Sequence, residues 1–251
     1  MATDAPLGTV VNAFEVLDVL RRIDGGGPMA IARELDMPKS TAHEYLKTLE
    51  AIGFVINDGG SYNLSLRLLQ IGSQIQYRRR LFHVARPEVV KLANTTGQSA
   101  NVTVVEHGRA VILYSEGEVE GINIGTYPGL VTPMHTLAAG KVILAHKPRS
   151  FAEDVIDEHG LEQATSETIV DRETLFSELD RIESQGYAAD ADEHVVGMGL
   201  VASPIVHDGE ILGSIVIACP TSTLAVENRQ EEFVEATQRA AKVVAFNYEY
   251  A

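Results

Sequence analysis

Cysteine occurs once in the 251 residues, at Cys219. That excludes an internal disulfide and any zinc site built from several cysteines. Its neighbours Ile215-Val216-Ile217-Ala218 read as a buried strand, which makes Cys219 a small core residue rather than a nucleophile. No run approaches the roughly 20 apolar residues needed to cross a bilayer. The opening Met1-Ala2-Thr3-Asp4-Ala5-Pro6 lacks the basic-then-apolar order of a secretion signal, so the expected location is cytoplasmic. Ala138-Ala139-Gly140-Lys141-Val142 ends like a phosphate loop, but the first glycine and the hydroxyl residue after the lysine are missing. Lys141 is expected to snorkel or to pair on a helix. No Gly-x-Ser-x-Gly elbow is present, and the histidines do not have zinc-enzyme spacing. Asp190, Asp192 and His194 could place three ligands on one side of a strand, yet clustered acids are expected in so acidic a chain. No catalytic residue, metal or cofactor is therefore expected.

Positive charge is also scarce. The chain has 20 Lys+Arg against 35 Asp+Glu, a net charge of −15. The excess is unevenly placed: residues 1–80 hold 9 basic and 9 acidic side chains, and residues 81–251 hold 11 and 26. An acidic body repels phosphate and would turn a neutral head toward it. The acid excess and few lysines also suit a high-salt cytoplasm, as in a halophilic archaeon. Full stability in dilute buffer would reject that reading.

The neutral head contains a legible pattern. Val10–Ile23 is an amphipathic helix with Val10, Phe14, Leu17 and Leu20 at helical spacing. Gly25-Gly26-Gly27-Pro28 ends it, and Met29–Leu35 forms a short second helix. A third starts after Met37-Pro38-Lys39-Ser40, where Pro38 presets the first turn. Ala42, Leu46, Leu49 and Ile52 share its apolar face, while Lys39, Ser40, Thr41, His43, Glu44, Lys47 and Thr48 share the polar one. Phe54-Val55-Ile56, the turn Asn57-Asp58-Gly59-Gly60 and the return Ser61-Tyr62-Asn63-Leu64 make a hairpin. Helix, break, helix and hairpin in this order are the layout of a winged helix-turn-helix, whose polar helix face meets base edges and phosphates.

Beyond the hairpin, Leu66, Leu69 and Ile75 begin a helical stretch through Arg80, and Arg78-Arg79-Arg80 is a solvated face or a phosphate contact. Arg86-Pro87 marks a boundary, with Pro87–Ala93 starting another helix. Strands are expected over Asn101–Glu106, Ala110–Ser115, Glu120–Thr126, Ala188–Glu193, Leu200–Val206 and Ile211–Ala218. Helices are expected over Leu137–His146, from Arg172 to about Gln185 with Asp171 as cap, and over Glu227–Tyr248. Hairpins with helices between them predict an α+β class with an antiparallel sheet.

Four segments carry a resemblance: PKSTAHEYLKTLEAIGFV, YNLSLRLLQIG, PMHTLAAGKVILA, and GYAADADEHVVGMGLVASPIV followed by GEILGSIVIACP. In that order and spacing the chain resembles the IclR-type (isocitrate lyase regulator family) transcriptional regulators over nearly its full length. The resemblance implies a winged helix-turn-helix over 1–65, a linker helix over 66–80, and a GAF-like effector-binding domain over 81–251, in a dimer or dimer of dimers. It implies double-stranded DNA with a palindromic operator as one partner and a small organic acid as the other, with no membrane. The DNA-contact candidates are Lys39, Ser40, Thr41, His43, Glu44, Lys47 and Tyr62. Relatives commonly carry arginine at the position of Glu44. A carboxylate there can accept from a cytosine amino group or face a partner helix; an unchanged operator preference in Glu44→Ala would exclude base reading.

The resemblance places the effector's polar group at the start of the central helix, where the Ala138 and Ala139 amides meet an anion. Asp190 matches a pocket acid, Leu200 stands where many relatives have cysteine, Val216 and Ala218 replace residues that can be polar, and Ile124 lines the wall. So apolar a lining predicts a carboxylate with a larger carbon skeleton than glyoxylate or pyruvate, such as an aromatic or sugar acid. Alternating apolar strand residues are equally core-forming, and Asp190 could be a surface acid. The competing reading of the whole chain is a small-molecule-binding or catalytic GAF-like domain with a helical oligomerisation head.

Overall fold

A computed structural model describes residues 5–119 and 126–250. The chain divides into two compact units, one ending at Ile75 and one starting at Gln76.

In the first unit α1 (Gly8–Arg22) packs through Val16, Leu17, Val19 and Leu20. Val10 and Phe14, expected on its buried face, are exposed. They lie on the first turns of the helix, before its packed stretch begins. α2 (Pro28–Glu34) opens on Pro28 at its first position, where the missing N–H costs nothing. α3 (Lys39–Ala51) follows Pro38 and buries Ala42, Leu46 and Leu49, but leaves Ile52 just past its end exposed. No side chain caps α3. β1 (Val55–Asp58) and β2 (Ser61–Leu64) pair so that Asp58 faces Ser61. Gly59 and Gly60 make the connection with φ of 60° and 99°. Two consecutive positive φ values are what the tightest hairpin turn requires, and glycine adopts them without strain. The Asn57 side chain accepts from the Gly60 amide at 2.9 Å. Tyr62 exchanges two backbone bonds of 2.9 Å with Gly26, tying the wing to the loop between α1 and α2.

α4 (Arg67–Arg78) has no buried residue. The helical stretch stops at Arg78 rather than Arg80, because Arg79 takes an extended backbone and starts α5 (Arg80–Thr96). Arg79 pairs with Glu106, so the arginine run is partly neutralised by a carboxylate. The boundary expected at Arg86-Pro87 is absent: Pro87 lies inside α5. An interior proline costs about 3 kcal/mol. Here that cost is offset by burial of Leu81, Phe82, Val84, Ala85, Val89, Leu92 and Ala93 on one face.

The second unit is built on an antiparallel sheet. Its strands are β3 (Ser99–Glu106), β4 (Arg109–Glu116), β5 (Val131–Pro133), β6 (Ala188–Ala191), β7 (Met198–His207) and β8 (Glu210–Pro220). Among the described residues their order is β5-β4-β3-β8-β7-β6. The strand expected over Glu120–Thr126 lies outside the described residues except for Thr126, which is not in a strand. A single turn of tighter helix (Met134–Thr136) leads into α6 (Ala138–Ala145), followed by α7 (Arg149–His159) and α8 (Arg172–Gln185). α9 (Thr221–Leu224) and α10 (Arg229–Tyr248) close the chain. Asp171 caps α8, accepting from the Thr174 amide at 2.8 Å.

Alternation along β8 separates two cores. Ile215, Ile217 and Cys219 join α5 and α10 on one face of the sheet. Val216 and Ala218 join α6, α7 and α8 on the other. Cys219 is fully buried, and burial pushes its thiol up to about 11, which fits a core residue rather than a nucleophile.

Candidate functional site

On the first unit, α3 turns one face out. Lys39, Ser40, His43, Glu44 and Lys47 are exposed and Thr41 is half-buried. Lys47 lies 3.0 Å from Glu50, an exposed pair that water and salt screen, so its ammonium stays free to move to a phosphate. Tyr62 does not share this face. Its side chain is 2% exposed and belongs to the head's core with Leu46 and Val55. The strand alternation that buries Val55 also turns Tyr62 inward, so the DNA-contact expectation for Tyr62 is corrected.

On the second unit, strand register brings the expected pocket residues together. Asp190 faces Leu200, Leu200 faces Ala218, and Ala218 faces Ser99, one row across four strands. The next row runs Ala188, Ala202, Val216 and Asn101. The start of α6 lies over these rows: Ala138 and Ala139 share the core with Leu200, Val216 and Ala218. Ile124 lies outside the described residues.

A cavity of about 40 Å³ lies between α6 and the sheet. Ala139 and Leu200 border it, as do Leu137, Asn101, Thr103, Ile112, Leu130, Thr132 and His194. Val216, Ala218 and Ala138 do not border it and serve as packed wall behind it. Asn101 and Thr103 are buried, and the Thr103 hydroxyl donates to Asn101 Oδ1 at 2.9 Å. These polar residues sit in an apolar run, and only register against β8 reveals that they face α6.

The Ala138 amide, expected to meet the ligand's carboxylate, is already taken. It donates to Asp190 Oδ2, so the protein's own carboxylate sits at the positive end of α6. Asp190 is buried, not a surface acid. Its Oδ1 has no partner among the described residues, and neither does Glu193 Oε2. Glu193 Oε1 lies 2.5 Å from the ammonium of Lys141, whose side chain is fully buried. Lys141 therefore pairs across from helix to loop, rather than snorkelling to solvent. Burial, opposed by Lys141 and reinforced by Glu193, pushes Asp190 up to about 7. Burial also raises Glu193.

The raised Asp190 has a signed consequence. Its native pKa exceeds the unfolded value, so its contribution to stability is full below about 3.8 and is lost as pH rises through about 7. Asp190→Asn keeps an oxygen for the Ala138 amide and removes the charge. Urea unfolding across this range should show a stability that falls less steeply with pH in the variant; equal slopes would show that Asp190 is not raised.

The other members of the acidic motif diverge. Asp192 accepts from the Gly197 amide at 2.6 Å and the Thr221 hydroxyl at 2.8 Å, fixing the turn before β7. His194 Nδ1 lies 3.0 Å from Thr136 Oγ1. Burial lowers the pKa of both His194 and His135. No helix among the described residues is long and apolar enough to cross a membrane.

Comparison with known proteins identifies both parts of the chain. Residues 9–59 match the IclR helix-turn-helix domain, and residues 74–245 match the bacterial transcriptional regulator IclR C-terminal family. The chain is 29% identical to the probable HTH-type transcriptional regulator ArcR of Halobacterium salinarum, covering 97% of this chain and 94% of that protein. It is 31% identical to the HTH-type transcriptional repressor AllR of Escherichia coli, covering 91% and 86%. The crystal structure of the Thermotoga maritima IclR superposes with a TM-score of 0.80 at 25% identity, covering 97% of this chain and 99% of that one. An IclR homologue from Microbacterium hydrocarbonoxydans, solved with 4-hydroxybenzoate, has the same fold at TM-score 0.79 and 22% identity, covering 96% and 98%. With both parts matched in order, the chain belongs to the IclR family of transcriptional regulators, with a helix-turn-helix DNA-binding head and a C-terminal effector-binding domain.

Proposed function

We propose that this regulator acts in the cytoplasm as a dimer or dimer of dimers on a palindromic operator, and that an organic acid at the start of α6 sets its affinity for DNA. The observation that carries the reading is the cavity between the first turn of α6 and the sheet, walled by Leu200, Ile112 and Leu130. Helix N-termini favour carboxylates, and apolar walls favour a carbon skeleton. At about 40 Å³ the cavity is smaller than the roughly 150 Å³ known to admit benzene. An acid larger than pyruvate therefore enters by widening it. That requirement supplies the switch: a ligand that fits only a widened form shifts the population toward it. The relative solved with 4-hydroxybenzoate supports an acid of this size.

On DNA, Lys39 and Lys47 are the phosphate contacts, and Ser40, Thr41, His43 and Glu44 face the bases. Lys39→Ala is expected to weaken binding to every sequence alike and to lower the salt slope of affinity by about one. Fluorescence anisotropy with DNA from upstream of the chain's own gene, repeated across salt, measures both. A variant with unchanged affinity and slope would remove Lys39 from the interface.

A further inference from the structure

Three atoms fix the protonation of one pocket residue. Thr136 Oγ1 lies 3.0 Å from the Pro133 carbonyl oxygen and 3.0 Å from His194 Nδ1. A carbonyl only accepts, so the one arrangement that makes both contacts hydrogen bonds sends the threonine proton to Pro133. Thr136 Oγ1 must then accept from His194, which puts the imidazole proton on Nδ1. In the neutral ring Nε2 is therefore a bare acceptor, and no described residue bonds to it. Thr136 is fully buried, so water does not offer the threonine another partner. Burial, with His135 nearby, lowers the imidazole pKa and keeps the ring neutral.

His194 borders the same cavity as Ala139. The Ala139 amide, in the first turn of α6, has no acceptor among the described residues. One cavity is thus bordered by a residue with a free amide and a residue with a free imidazole nitrogen. A plain carboxylate satisfies the first and leaves the second unpaired.

We infer that the effector is a hydroxy acid, its carboxylate held at the Ala139 amide and its hydroxyl donating to His194 Nε2. The inference rests on the organic-acid reading above and narrows it. His194 is then a specificity-determining residue: it disfavours the deoxy analogue, because that analogue would cover the Nε2 acceptor and leave it unpaired.

The test is calorimetric titration of the full chain with matched pairs: lactate and propionate, 3-hydroxybutyrate and butyrate, 4-hydroxybenzoate and benzoate. In at least one pair the hydroxy acid should bind about tenfold more tightly than its parent. His194→Phe should abolish that preference, so that the hydroxy acid and its parent bind alike. Equal binding within every pair, or a preference that survives in His194→Phe, overturns the inference while keeping the organic-acid reading. Binding of no acid in the panel overturns both. Should His194→Phe not fold, imidazole ¹⁵N resonances of the wild-type protein decide: a bare Nε2 that becomes hydrogen-bonded on adding the preferred hydroxy acid supports the inference, and a protonated Nε2 in the free protein contradicts it.

Discussion

Gly140→Ala is expected to destabilise the protein by about 3 kcal/mol, the upper end of the usual cost of overpacking a core. A Cβ at position 140 would lie 2.2 Å from the Met134 carbonyl oxygen and 2.6 Å from its Cα. Both are backbone atoms, so no rotamer relieves the clash. Either α6 lifts from the turn at Met134–Thr136 or the turn is pushed aside. The turn also carries Thr136, which orients His194, so any ligand response should fail together with stability. Urea unfolding of the variant measures the loss. A cost below about 1 kcal/mol would mean that α6 does not pack on the turn this closely.

Lys141→Met is expected to cost about 3–5 kcal/mol, the usual range when one partner of a buried ion pair is removed. Glu193, and Asp190 beyond it, would be left as buried carboxylates without a cation. Both carboxyls are already raised by burial, so the variant can relieve itself by taking up protons. The penalty should therefore be larger above about pH 7 than in acid. Adding Glu193→Gln should recover much of the loss, because an amide needs no counter-charge. Unfolding free energies of the two variants across pH check this. A penalty that is independent of pH and not rescued by Glu193→Gln would assign Lys141 a packing role only.

Much of this fold was legible because local signals and tertiary packing agree. Gly59-Gly60 forces a tight turn wherever it sits, and the Asp171 side chain caps α8 by accepting from the Thr174 amide three residues on. α5 departs from its sequence pattern for the opposite reason. Pro87 is a local breaker, and only burial against the sheet and α10 overrides it. α7 carries a local signal of its own: Phe151, Ala152, Val155 and Ile156 follow Pro148 at helical spacing.

The site was legible in its residues but not in its contacts. Ala139, Asp190 and Leu200 were named from the family pattern, yet nothing local says that Asp190 would occupy the amide intended for the ligand. That depends on Ala138 and a strand 52 positions later in the chain meeting. Lys141–Glu193 is equally distant in sequence, so burial of the lysine was invisible until the loop after β6 was placed over α6. Tyr62 shows the converse: a wing position suggested DNA, while the strand's two-residue alternation had already assigned it to the core.

The most direct measurement of the central claim is footprinting of the full chain on DNA upstream of its own gene, with and without the acid that calorimetry selects. The account predicts protection the length of a palindromic operator, and a protein concentration for half-protection that shifts when the acid is added. Absence of specific protection at any salt concentration, or protection indifferent to every acid the protein binds, would contradict it.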